Sequence, residues 1–558
     1  MRKIPHAFAL ACGLTLVLTV GPVLASAAVH QVTNAGNDPY AACAAGTAGI
    51  VYPRSEVEPF GALNPSDARN IIAVVQQDRW NNGGAHGIAA GVSNDGGASW
   101  SVVPLPFSAC AANAPDSLQY ERASDPWVSF GPGTPANPRT GATAYAVSLS
   151  FNQSAGKNGN TVSAAVSYDG GTTWTHAQSM HADAQSGVPL PVPDSNFQFF
   201  HDKESVTADP TRPGYAYAVW DVLIGPNANV DSDIHSSSFS DLTLFTRTTD
   251  FGVTWSPVRV INPSANPTTT LNQTIGNVIV VDPRTGTLYN FFNQIFNTGS
   301  NGGGNPAGAH GDNAAFQTST DAGLTWSAVH LISSMDDLGV TDPNNVDPRT
   351  NKAPAPLRVG NGLPAPAIDP ETGALYVVWE DARFSGSDEV AITTSTDAGA
   401  HWTAPKRVNT PSGQPAFTPA VGVLDSGKAG VPGKVGVTYY QLGPTSLGST
   451  PTGYFIKEFP ADAITSNPPA SIDTGVAATT VLTPFNMLDA PFALGYFTGD
   501  YEALLSVGTG TRASFLPVVV SGACGTDQSC RALTSVVPPA NTAATGNDST
   551  DVFVGTGF

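Results

Sequence analysis

Apolar and polar residues alternate along the chain in short runs, each closed by Gly, Pro, Asn or Asp, and the runs come in fours. Residues 363–408 show one set. Residues 363–368 read as a first strand, the DPETG of 369–373 as a turn, and 374–379 as a second strand. After a polar loop, residues 389–395 make a third strand and 402–408 a fourth. The same order returns at 206–221 and at 278–292. Period-two strands joined by tight turns predict antiparallel meanders, which must bury their apolar faces against further sheets.

The turn between third and fourth strands is spelled alike five times: SNDGGASW from Ser93, SYDGGTTW from Ser167, TTDFGVTW from Thr248, STDAGLTW from Ser319 and STDAGAHW from Ser395. Its aspartates (Asp95, Asp169, Asp250, Asp321, Asp397) recur about every 75 residues, the mark of a repeat architecture. Asp and Ser side chains can bond the turn amides, Gly supplies positive φ, and Trp folds back over the hairpin. First strands begin at EVEPFGALNP, ASDPWVSFGP, KESVTADP, GNVIVVDP, PAPAIDP, FTPAVGVL and GDYEALLSVG. Seven such units fill the chain. The expectation is an all-β chain, a β-propeller of four-stranded blades, seven by repeat count, with six the alternative. The octapeptides resemble the Asp boxes (BNR repeats) of sialidases and related propeller glycosidases. That resemblance implies that the boxes are structural turns, that the protein is a glycosidase, and that six blades would be usual.

With 24 Lys+Arg against 44 Asp+Glu the net charge is −20, which disfavours nucleic acid and anionic membrane surfaces as partners. Charged residues reach only 12%, while Gly 57 and Pro 46 are abundant, as turn-rich β structure requires. Arg2 and Lys3, an apolar run and Ala25-Ser26-Ala27 read as a signal peptide over 1–27, so secretion to the extracellular space or periplasm follows, with no membrane insertion after its removal. Residues 28–55 then form an N-terminal segment carrying a ring-closing strand, 56–537 the propeller with its five boxes, and 538–558 a tail with a final strand. A monomer is expected. Cys43, Cys110, Cys524 and Cys530 allow three disulfide pairings, among them a short Cys524–Cys530 staple with a longer Cys43–Cys110 tie.

In an up-and-down meander the turns after first and third strands share one rim. The starts of first strands and ends of second strands therefore gather on the other, around the axis, where a propeller has its pocket. This selects Asp78, Arg79, Trp80, Arg122, Asp125, Asp202, Lys203, Glu204, Trp220, Asp221, Arg358, Glu380, Asp381, Arg383, Tyr439, Tyr440, Asp500, Tyr501 and Glu502. Carboxylates beside arginines and aromatics suit a glycan: rings stack on sugar faces, arginines grip an acidic substituent, and carboxyls exchange protons. The string GDYEAL at 499–504 resembles the tyrosine segment of sialidases. On that resemblance Tyr501 is the nucleophile, Glu204 or Glu502 its base, and Asp125 or Asp78 the acid. Arg79, Arg122, Arg358 and Arg383 form the substrate-binding cluster, with Glu380, Asp381, Trp220 and Tyr440 beside them. The early Arg-Ile-Pro segment of sialidases is replaced here by VYPRSEVEP from Val51. Ten scattered histidines show no metal-ligand spacing, so no cofactor is expected, although the Asn/Gly/Asp-rich 297–313 loop could hold a structural calcium. A non-catalytic glycan-binding propeller and a lyase on acidic polysaccharide are the rival readings.

Overall fold

In the computed structural model, residues 27–558 are described apart from 34–35, 47–48, 155–158, 183–197, 226–239, 263–271, 297–310, 425–432, 466–471, 473–476, 508–512 and 523–549. The expected signal peptide, the Cys524–Cys530 staple and most of the 297–313 loop lie outside the described residues. Cys43 and Cys110 form a disulfide.

The described chain is an all-β propeller whose strands fall into four-stranded antiparallel groups, five of them separate sheets and the first two joined by the single Ala85–Ala123 pair into one eight-stranded sheet. Blade 1 contains Glu56–Leu63, Ile71–Arg79, Ala85–Ser93 and Ser101–Pro104, and blade 2 Arg122–Pro132, Ala142–Phe151, Asn160–Ser167 and Thr175–Ala182. Blade 3 contains Gln198–Ala208, Ala216–Gly225, Ser240–Thr248 and Arg259–Val260, and blade 4 Gln273–Val281, Leu288–Ile295, Asn313–Ser319 and His330–Ser334. Blade 5 contains Ala365–Ile368, Leu375–Asp381, Glu389–Ser395 and Lys406–Arg407, and blade 6 Ala416–Leu424, Lys434–Leu442, Pro451–Pro460 and Thr479–Asn486. Blade 7 joins Ala503–Val507, Ser514–Gly522 and Thr550–Thr556 to Ala28–Gln31 as its outer strand, so the two chain ends share one sheet.

The core explains the ring. Each large hydrophobic cluster lies between two neighbouring blades: Val74 and Ile88 meet Val128 and Ala144, Val147 and Val162 meet Val206 and Trp220, and so on to Val518 and Val552 against Val75 and Ala89. Blades are buried on both faces, which is why their strands are rich in Val, Ile and Ala throughout. The Asp boxes hold this spacing. In each, the box aspartate accepts from the amide four residues on, as at Asp95 and Ser99 (2.9 Å), while the leading Ser or Thr hydroxyl accepts from the box glycine amide. That glycine needs positive φ and no side chain because the preceding blade comes so close: a Cβ on Gly171 (φ 98°) would lie 2.7 Å from Ile72 of blade 1.

The fourth strand of blade 5 is shorter than its sequence pattern implies, since Trp402 still belongs to the box turn. A small extra sheet was not foreseen. Val340–Asp342 pairs with Ala355–Arg358, which pairs in parallel with Tyr496–Phe497. It places Arg358 directly beside Phe497 on the axial rim.

Candidate functional site

The first strands of blades 1, 2, 3, 4 and 6 carry the same irregularity. Register shifts interrupt their pairing at Val57/Phe60, Ser124/Trp127, Asp202/Ser205, Ile275/Val278 and Phe417/Ala420. The first of the two residues inside each has positive φ: Glu58 (54°), Asp125 (51°), Lys203 (51°), Gly276 (72°) and Thr418 (48°). For the four non-glycine residues this left-handed backbone costs about 1–3 kcal/mol each, and it re-aims the strand at the rim around the axis.

These bulges surround a buried charge network. Lys203 Nζ donates to Asp125 Oδ2 and Asp500 Oδ2, both at 2.7 Å, and lies 3.6 Å from Glu58 Oε1. Arg358 pairs with Asp500 at 2.7 Å. Gln76 donates to Glu58 and accepts from Arg79 Nη1 at 2.6 Å. Two guanidinium groups lie over Phe497, Arg358 at 4.3 Å and Arg79 at 5.0 Å from its centroid. Burial opposes the charge on Asp500, but Arg358 and Lys203 prevail and hold its carboxyl well below the usual range. Burial also opposes the Lys203 charge, and Asp125, Asp500 and Glu58 outweigh it. Glu58 is pushed up to about 8 by burial and by Asp125.

Beneath this network an axial cavity of about 370 Å³ is lined by first strands of all seven blades. Its upper wall carries Lys203, Glu204, Glu380, Asp500, Tyr501 and Glu502, and its side an aromatic group. Phe60 stacks on Trp127 at 3.5 Å, and Trp127 meets Tyr501 at 5.2 Å. Both carboxyl oxygens of Glu204 are buried without a hydrogen-bond partner. Burial, reinforced by Asp125, raises its pKa well above the ordinary carboxyl range. Tyr501 donates to Pro126 O at 3.0 Å, and burial with Glu58, Asp125, Glu204 and Asp500 around it keeps its phenol protonated.

The rim thus brings together Tyr501, Glu204, Asp125, Arg79, Arg358 and Glu380 from the residues selected by strand position. Six others stand elsewhere. Asp78 is tied to His86 Nδ1 (3.0 Å) and the Arg54 amide (2.6 Å), away from the cavity wall. Arg122 lies over Trp80 (4.4 Å) and donates to Asn82 and to Gly83 O. Arg383 and Asp381 form their own pair at 2.7 Å, with Trp379 Nε1 also on Asp381. Trp220 is wholly buried between blades 2 and 3, its indole donating to His201. Tyr440 is a core residue whose hydroxyl donates to Glu502 Oε1 at 2.7 Å. Of the four arginines, Arg79 and Arg358 meet at Phe497, Arg122 lies close enough to Arg79 to feel its charge while facing the blade 1 loop, and Arg383 stands elsewhere, paired with Asp381. The site residues missed by strand position are Glu58, Phe60, Trp127 and Phe497. The dipeptides Glu58-Pro59, Asp125-Pro126 and Thr418-Pro419 are the signal that would have marked the bulges.

No protein-family model matches the sequence, and no curated protein matches it. Among solved structures, the α-L-arabinofuranosidase Arb93A of Fusarium graminearum is similar at 14% identity and a TM-score of 0.40, covering 75% of this chain and 98% of that one. The Hadza microbial sialidase Hz136 is similar at 16% identity and 0.40, covering 74% and 67%. A Penicillium chrysogenum α-L-arabinanase is similar at 12% identity and 0.39, covering 72% and 92%. These likenesses are distant, and the chemistry of the site rests on this chain's own residues.

Proposed function

We propose that the protein is a secreted glycoside hydrolase that acts on a neutral glycan at the axial cavity, with Glu204 as the proton-donating carboxyl. The observation that carries this reading is Glu204 itself, buried at the cavity wall with neither oxygen hydrogen-bonded, beside Tyr501 and the Trp127 face. Burial, reinforced by Asp125, raises its pKa well above the ordinary carboxyl range, the direction a general acid needs. Asp500, held ionised by Arg358 and Lys203, faces the same cavity as a second carboxyl of the wall. One protonated and one ionised carboxyl at a single wall is the division of labour that glycoside cleavage uses. Trp127 and Phe60 offer the apolar face on which a sugar ring stacks. Tyr501, kept protonated, suits a donor to a sugar hydroxyl rather than a nucleophile. A neutral substrate is favoured because Arg358 and Arg383 are already neutralised by Asp500 and Asp381. Secretion is supported by the charged, apolar and small-residue order of the first 27 residues and by the Cys43–Cys110 disulfide.

The test is a panel of neutral aryl glycosides, pentofuranosides included, set against sialosides, with wild type and Glu204→Gln. Wild type should cleave a neutral member, and the variant should lose about 10²–10⁴-fold in kcat while still binding it. Full activity in the variant, or turnover of sialosides alone, overturns the reading.

A further inference from the structure

Three carboxyl groups meet where blades 4 and 5 adjoin the cavity wall. Asp337 comes from the loop after His330–Ser334, Glu380 from the second strand of blade 5, and Asp388 from the approach to its third. One oxygen of each lies within 4.8 Å of the other two. Glu380 and Asp388 are each 2% exposed. The backbone fixes them from outside: the Leu338 amide donates to Asp388 Oδ1 (3.0 Å), the Gly339 amide to Asp337 Oδ1 (2.9 Å) and the Thr418 amide to Glu380 Oε1 (2.8 Å). Glu380 Oε2 and Asp388 Oδ2 are left buried with no hydrogen-bond partner.

Nothing cationic balances them among the described residues. Arg383, the nearest in sequence, is paired with Asp381, while Lys203 and Arg358 serve Asp500. Asp312 adds further negative potential at Asp337. Clustered buried carboxylates cost several kcal/mol per ion unless protons or a cation neutralise them. Oxygen ligands about 2.4 Å from a common ion stand at most about 4.8 Å apart, so these three can reach one ion, and a donor set without nitrogen or sulfur suits a hard divalent ion.

We propose that Asp337, Glu380 and Asp388 hold a calcium-type divalent cation that ties the loop leaving blade 4 to blade 5 at the cavity wall. The site does not depend on the glycosidase reading. The ion would cancel most of the charge of the three carboxylates and pin the 335–339 loop, hence the shape of the wall that Glu380 contributes. The test uses the full chain stripped with a chelator, titrated with CaCl₂ by calorimetry while thermal unfolding is followed in parallel. One ion per chain should bind, the unfolding midpoint should rise with calcium, and Asp388→Asn and Asp337→Asn should each weaken binding at least about tenfold, as loss of a charged ligand does. Absence of both heat and midpoint shift in wild type up to about 10 mM calcium overturns the proposal, as does unchanged affinity in both variants. The wild-type titration decides the matter even if a variant does not fold.

Discussion

Replacing Lys203 by Met tests whether the axial network is an electrostatic device or only packing. The ammonium sits 2.7 Å from Asp125 and from Asp500 and 3.6 Å from Glu58, and its side chain is only 7% exposed. At an effective dielectric constant of about 20, each 2.7 Å contact carries about 6 kcal/mol of Coulomb attraction, set against a desolvation cost of several kcal/mol per ion. Truncating one partner leaves the others as buried, uncompensated anions, which costs about 3–5 kcal/mol. Met fills much the same volume, so the packing change is small. Asp500 keeps Arg358, so the loss falls mainly on Asp125. The pH dependence carries the argument. Without the ammonium the folded variant retains protons on its buried carboxyls to higher pH than wild type does, so its stability declines more steeply as pH rises. The deficit should be larger near pH 8 than near pH 5, because Glu58, pushed up to about 8 in wild type, must keep its proton to higher pH once the ammonium is gone. Urea unfolding followed by tryptophan fluorescence at both pH values measures it. A deficit equal at the two pH values, or below about 1 kcal/mol at pH 8, refutes the electrostatic account.

Two further outcomes follow from the ring itself. Gly171→Ala should destabilise by about 2–4 kcal/mol, combining a left-handed backbone at φ 98° with a Cβ 2.7 Å from Ile72 in the preceding blade, while leaving KM unchanged; differential scanning calorimetry beside steady-state kinetics would show it. At the seam where the chain ends meet, Asp551 is raised to about 7 by burial, and Glu56 beside it is raised well above its ordinary value by burial and Asp551. A raised carboxyl pKa contributes stability that is complete below the unfolded value near 4 and lost as pH climbs through about 7. Stability should therefore fall by about 2–4 kcal/mol between pH 4 and pH 8, and Asp551→Asn should flatten that slope; a profile unchanged by the substitution would exclude the seam as its source.

The fold was legible because its information is local and repeated. Each Asp box writes a complete turn within eight residues, and five copies at one period fix the order of strands without any long-range contact. Strand position also delivered Glu204, Tyr501, Asp125, Lys203 and Asp500, since the rim on which a strand begins follows from meander parity alone. Parity does not say which way a side chain points. Trp220 and Tyr440 lie on second strands near the correct rim, yet both turn into the interface between blades, because successive residues alternate faces and a shift of one reverses the choice. The bulges make that shift five times. At Asp125 the positive φ brings Asp125 to Lys203 and leaves Trp127 to line the cavity, so an uninterrupted alternation assigns the aromatic wall wrongly. Arg358 and Phe497 meet through a two-residue parallel pairing between distant segments, which no periodicity announces. The arginines of the cluster are engaged by neighbours for an energetic reason. In a ring this poor in charge, a guanidinium at the rim takes the nearest acceptor available, a carboxylate for Arg358 and for the exposed Arg383 and a backbone carbonyl with an aromatic face for Arg122. Free binding groups are thus identified by which buried polar atoms remain without a partner, and on the wall of the axial cavity those atoms belong to glutamates: Glu204, Glu380 and Glu502.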